Sequence, residues 1–235
     1  MKLGILDAVP LNYWSTDLGI TESEKFIDFL EPVMTGTTFD QLFVAEGEWP
    51  EQQDDYDAYL ITGSPCYVND EHPWIEKLSQ FVRDCVESNK KLVGVCFGHQ
   101  LIASALGGKV ERRSDSWLLG VKSFEIVEAQ PWMTPSQKHC EIFHINHDHV
   151  TALPVNAKRI AYSELCENSA FVIGDRMLGL QGHPEQPRRA MEKFIKELLL
   201  IGEDPEEMEQ GRASLRDKVP DADLWGLWIG KFLGY

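Results

Sequence analysis

Cys96 lies in Gly94-Val95-Cys96-Phe97-Gly98-His99-Gln100, with a glycine two positions before and two after the sulfur and the apolar pair Leu92-Val93 ahead of them. Downstream, His183 and Glu185 stand two residues apart in Gly182-His183-Pro184-Glu185, directly behind Leu178-Gly179-Leu180-Gln181. A thiol, an imidazole and a carboxylate are the nucleophile, base and orienter of a cysteine acyl-transfer site. The chemistry they could perform is attack on an amide carbonyl, passage through a thioester, and release of an amine.

The elements around Cys96 must place that sulfur. Lys91 to Val95 reads as a short buried strand, and Gly98 to Leu106 as a helix stopped by Gly107 and Gly108. A strand turning sharply into a helix leaves no space beside the nucleophile, which explains glycines at positions 94 and 98. Cys96 then sits at a helix N-terminus, where the dipole favours an anionic sulfur and free N–H groups face an oxyanion. The Phe97 N–H is one expected donor. The second is expected from Leu60-Ile61-Thr62-Gly63-Ser64-Pro65, with Gly63 as the donor.

The G-x-C-x-G-x-Q pattern followed by G-x-x-G-H-P-E resembles the class I, triad-type glutamine amidotransferases, in the flavour of the GMP synthase amidotransferase domain and its free-standing relatives. The resemblance runs from Leu3 to about Leu200. It implies a flavodoxin-like α/β fold: a mostly parallel central sheet flanked by helices, with an antiparallel extension. It implies that Cys96 is acylated by a glutamine side chain, that His183 is the base and that Glu185 orients it. Gln100 matches a substrate-holding glutamine. Ile145-Asn146-His147-Asp148-His149-Val150 corresponds loosely to the family's Ser-His-Gly-Asp-x-Val segment, putting His147 and Asp148 on the substrate side. The reaction implied is hydrolysis of the glutamine side-chain amide, or of a related γ-glutamyl amide, with no cofactor. Two alternatives stand beside it. One is a stand-alone γ-glutamyl peptide or amine hydrolase. The other, of a different class, is a non-catalytic regulatory protein that kept the pocket.

Composition bounds the rest. The chain has 235 residues and a net charge of −16, from 22 basic and 38 acidic side chains. Such a surface argues against nucleic acid and anionic lipid as partners. No apolar run approaches the ~20 residues that cross a membrane. An acid as early as Asp7 is unlike a leader peptide. The five cysteines (Cys66, Cys85, Cys96, Cys140 and Cys166) are odd in number and include no C-x-x-C, which reads as reduced cytoplasmic thiols. Cys66 lies near enough to the expected oxyanion strand to line the pocket. His139, Cys140, His144, His147 and His149 lack the spacing of a closed tetrahedral metal set, so no metal is expected there and a substrate-side loop is.

Along the first half, Leu3–Asp7, Thr38–Ala45 and Ala58–Thr62 read as strands. Thr21–Leu30, with Thr21 as N-cap and Glu24 closing a capping box, and Pro73–Ser88 read as helices. That alternation predicts a parallel sheet with its site at the strands' carboxyl ends. Trp117–Glu128 and Arg159–Glu164 read as strands, Ala170–Leu180 as a hairpin turning near Gly174-Asp175, and Pro187–Ile201 as a helix. Residues 1–201 are thus expected to form the catalytic domain. Residues 202–235 are expected as a helical extension, with Leu224, Trp225, Leu227, Trp228, Ile229 and Phe232 at helical spacing, docked on the core or at a homodimer or partner contact. No pyrophosphatase loop of a synthetase occurs in the chain, so an amidotransferase role requires a separate synthetase partner to consume the ammonia.

Overall fold

The computed structural model describes residues 1–13, 19–112 and 116–235. Strand β1 (Lys2–Asp7) leads to helix α1 (Glu22–Leu30) and strand β2 (Thr38–Phe43). Strand β3 (Ala58–Ile61), helix α2 (Pro73–Glu87), strand β4 (Lys91–Val95) and helix α3 (Phe97–Ala105) follow. Next come β5 (Lys109–Arg112), β6 (Leu118–Ile126), β7 (His139–Asn146), β8 (Asp148–Ala152), β9 (Ala157–Tyr162), β10 (Ala170–Ile173) and β11 (Met177–Leu180). Helices α4 (Arg188–Leu200), α5 (Pro205–Asp217) and α6 (Ala222–Leu233) complete the chain.

Among the described residues, nine strands form one sheet in the order β2-β1-β3-β4-β11-β10-β9-β6-β7. From β2 to β11 the pairing is parallel, and from β11 to β7 it is antiparallel. This is the parallel sheet with an antiparallel extension expected from the sequence. Strands β5 and β8 make a separate two-stranded ribbon.

Strands β1, β3, β4 and β11 are buried on both faces, as strands covered by crossover helices must be, whereas the edge strand β2 is only partly buried. Leu3 and Ile5 point to a core closed by Phe26 and Leu30 of α1 and by Trp225, Trp228, Ile229 and Phe232 of α6. Leu6, Tyr59 and Ile61 point the other way, onto Ile75, Leu78 and Val82 of α2 and Leu101 and Ile102 of α3. A third cluster packs Met191 and Ile195 of α4 and Met208 and Leu215 of α5 against Leu119, Val121 and Phe143. The Thr21 capping box forms as expected: the Thr21 hydroxyl takes the Glu24 N–H at 3.0 Å and the Glu24 carboxylate takes the Thr21 N–H at 2.6 Å.

One expectation needs correction. The segment from His139 to Val150 is β7 and part of β8, not a loop: Cys140, Ile142, His144 and Asn146 alternate inward along β7, which pairs with β6 over its length. The segment after Gly202 holds two helices, the first capped by Asp204, which accepts the Glu206 N–H at 2.8 Å. No helix among the described residues is long and apolar enough to cross a membrane.

Candidate active site

Cys96 follows β4 directly and has φ 51°, ψ −102°, a conformation that costs a non-glycine residue on the order of 1–3 kcal/mol. Its surroundings hold it there. The Cys96 N–H donates to Leu180 O at 2.9 Å, and Cys96 O accepts the Gln100 N–H at 3.0 Å. The flanking glycines are obligatory. A Cβ on Gly94 would fall on the Gly98 carbonyl and 2.7 Å from Ile102 Cδ1, and one on Gly98 would lie 2.5 Å from Ile61 O. The sharp turn inferred from the glycine spacing is present.

Strand β11 delivers His183 from the neighbouring position in the sheet. Its N–H donates to Phe143 O at 2.7 Å, tying the segment to β7. His183 Nδ1 lies 2.7 Å from Glu185 Oε1, with both side chains buried. Burial works against the charged ring, but the Glu185 carboxylate and Cys96 outweigh it and hold the His183 pKa well above its ordinary value. The buried Nε2 has no partner of hydrogen-bonding geometry among the described residues.

Gly63 comes from the end of β3 and packs against both groups: a Cβ there would lie 3.0 Å from His183 Cε1 and 3.8 Å from Cys96 Cβ. The loop is pinned to the end of β1, since Thr62 Oγ1 accepts the Ala8 N–H at 3.0 Å and Ser64 Oγ donates to Ala8 O at 2.7 Å. The Gly98 N–H donates to Thr62 O at 3.2 Å and locks this loop to the start of α3. The N–H groups of Gly63 and Phe97 have no protein acceptor among the described residues.

The remaining sequence candidates line the same cavity, though their polar groups are differently engaged. Gln100 Nε2 donates to Asp148 O at 2.9 Å and Gln181 Oε1 at 3.0 Å, which commits its amide nitrogen to the join between β7 and β8. Asp148 Oδ1 accepts from Arg112 Nε at 3.0 Å, and that guanidinium lies 3.6 Å over the Tyr67 ring. The His147 ring meets Trp117 edge-on at 3.8 Å, its Nε2 is buried without a partner, and burial pulls its pKa down.

The cavity above Cys96 has a volume of about 300 Å³. Its far wall holds groups the sequence did not single out. Glu22 and Lys25 of α1 pair there, and Gln186 Nε2 donates to Glu22 Oε2 at 2.7 Å. Burial raises the Glu22 pKa, Lys25 opposes that rise, and the nearby Glu185 carboxylate adds to it. Gln186 Oε1 is buried, unpartnered and on the cavity wall. Adjacency to Glu185 was the one linear signal for Gln186. Glu22 and Lys25 gave only the pattern of a capped surface helix.

The family model of "Glutamine amidotransferase class-I" matches residues 37–201. Gamma-glutamyl peptidase 4 of Arabidopsis thaliana is 34% identical over 208 residues, covering 84% of this chain and 82% of its own length. A glutamine-hydrolyzing GMP synthase subunit of Methanococcus aeolicus is 30% identical over 137 residues, 56% of this chain and 72% of the relative. The crystal structure of a glutamine amidotransferase from Thermotoga maritima superposes with a TM-score of 0.77 at 22% identity, over 100% of this chain and 98% of that one. A strained cysteine between β4 and α3, a glutamate-backed histidine beyond β11 and the match over residues 37–201 agree: the chain belongs to the class I glutamine amidotransferases.

Proposed function

We propose that this protein hydrolyses γ-glutamyl amides through a thioester on Cys96, with an amino acid, peptide or amine as leaving group. The observation that carries this reading is the strained Cys96 facing a His183 whose Nδ1 is held by Glu185 at 2.7 Å and whose Nε2 is left free of other partners. The Cys96 proton passes to His183 Nε2 and the sulfur attacks the γ-carbonyl. The Gly63 and Phe97 N–H groups hold the oxyanion. His183 then protonates the departing nitrogen, the C–N bond breaks, and the amine leaves. Water gives its proton to His183, attacks the thioester carbonyl, and the Cys96 sulfur departs with release of glutamate. Glu185 fixes the tautomer and stabilises the imidazolium throughout.

Two facts favour a leaving group larger than ammonia. A cavity of about 300 Å³ falls at the lower end of the ~300–1,000 Å³ that buries a drug-sized ligand, so it has room beyond a glutamyl group. Gamma-glutamyl peptidase 4 is also similar over most of both chains. A second reading, hydrolysis of glutamine with ammonia passed to a separate synthetase, rests on the similarity to the GMP synthase subunit. Glutamate release from glutamine and from a panel of γ-glutamyl dipeptides and amines separates them, with Cys96→Ala as control. Turnover of the dipeptides supports the first reading. Turnover of glutamine alone, with ammonia released, replaces it with the second.

A further inference from the structure

Beside the oxyanion loop lies a set of donors that the hydrolytic chemistry does not use. Cys66 Sγ, a carboxylate oxygen of Asp70 and a ring nitrogen of His72 all lie within 4.8 Å of one another. We propose that Cys66, Asp70 and His72 bind a thiophilic divalent transition-metal ion, zinc above all, at a site separate from Cys96 and His183.

The chemistry of the donors selects the ion. One thiolate, one imidazole and one carboxylate suit zinc and its neighbours and disfavour magnesium or calcium, which take oxygen ligands. Tetrahedral bonds of ~2.0–2.3 Å hold donor atoms about 3.3–3.8 Å apart, so closing around an ion needs a shift of about an ångström. Three protein ligands leave the fourth position to water.

Local hydrogen bonds hold the turn that presents the donors. Asp70 Oδ2 accepts the Tyr67 N–H at 2.9 Å, the Asp70 N–H donates to Tyr67 O at 3.0 Å, and the His72 N–H donates to Asp70 O at 2.9 Å. At the base, the Cys66 N–H donates to Ser64 Oγ at 3.1 Å. Access is graded: Cys66 is buried, Asp70 half-buried and His72 exposed, so the ion enters from the His72 side. That side is a groove of about 550 Å³ lined by Asp70, Glu71 and Glu76, with Arg83 paired to Glu76 at 3.1 Å and the Asp70 and Glu71 carboxylates nearer the His72 ring in sequence.

Cys66 also lines the catalytic cavity, three residues from Gly63, so an ion here becomes part of that cavity's wall. By contrast, His144 of β7 and His149 of β8, near Cys140 in sequence, are drawn into hydrogen bonds with Asn146.

The test uses cobalt(II) as the probe on the full chain, chelator-stripped and carrying Cys96→Ala, so the nucleophile cannot contribute a ligand. The expected result is a thiolate-to-cobalt charge-transfer band that saturates at one ion per chain and is bleached by zinc. Adding Cys66→Ser, a near-isosteric change, should abolish the band. His72→Asn, at an exposed position that leaves the core untouched, should weaken binding at least about tenfold. Absence of the band at saturating cobalt, or a band unchanged by Cys66→Ser, would overturn the proposal. So would affinity unchanged by His72→Asn.

Discussion

Replacing Gly98 with alanine would place a Cβ 2.5 Å from Ile61 O, 2.9 Å from Ile61 Cβ and 3.0 Å from Ile61 Cγ2. The first of these is backbone, so no rotamer change relieves it. Either α3 or the end of β3 must move. Overpacking of this kind costs typically ~1–3 kcal/mol, and a backbone clash belongs at the top of that range. At roughly 2–4 °C per kcal/mol for a chain this long, Tm should fall by about 6–12 °C. The same movement separates Cys96 from Gly63, two residues beyond Ile61. Loss of one oxyanion donor lowers kcat by ~10²–10³. Gly107→Ala is the control: Gly107 has φ +90° but open space around it. It should cost only the roughly 1–2 kcal/mol of left-handed backbone strain and leave kcat unchanged. Thermal denaturation and steady-state kinetics on both variants decide the matter. A Gly98→Ala enzyme with wild-type kcat would refute the packed-elbow reasoning.

Further outcomes follow from other contacts. Glu185→Gln removes the charge that holds the His183 pKa up against burial, so that pKa should fall. kcat should drop about 10³–10⁴-fold, as when a triad carboxylate is neutralised, which a pH–rate profile beside the wild type will show. His99 and His144 are buried, and burial pushes each pKa down to about 3. Unfolded, each binds a proton near pH 6.5, so their stability contribution is present above that pH and lost as pH falls toward 3. His99→Leu should make the fall in unfolding free energy below pH 6.5 shallower by about 1.4 kcal/mol per pH unit, as read by urea denaturation. Trp228 is fully buried and its Nε1 donates to Pro135 O at 3.0 Å. Trp228→Ala should therefore cost ~3–5 kcal/mol and lower Tm by about 6–20 °C.

The parts of this fold most legible in the sequence are those where local chemistry and tertiary demand coincide. Lys91–Val95 is a strand with the expected bounds, because its apolar run ends at a turn that only Gly94 and Gly98 permit. Thr21 and Glu24 announce the start of α1, because their reciprocal bonds are local. The His183–Glu185 pair was readable because a single residue, Pro184, separates the acid from the ring. Strand β7 was obscured because its inward face includes Cys140, His144 and Asn146, which resemble loop or ligand residues until β6 is laid beside them. Gln100 shows a different limit: its place on the cavity is as expected, yet its amide nitrogen is taken by Asp148 and by Gln181, which lies 81 residues away. Likewise the Glu22–Lys25 pair on the cavity wall follows from how α1 sits over the sheet, which no linear pattern records.

The most direct test of the account is to treat the protein with a diazoketone analogue of glutamine and map the label by peptide mass spectrometry. Nucleophilic attack by a γ-carbonyl-seeking thiolate predicts one label per chain, on Cys96, with hydrolysis lost in step with labelling and no label in Cys96→Ala. Label on another cysteine, or full turnover by a protein labelled at Cys96, would contradict it.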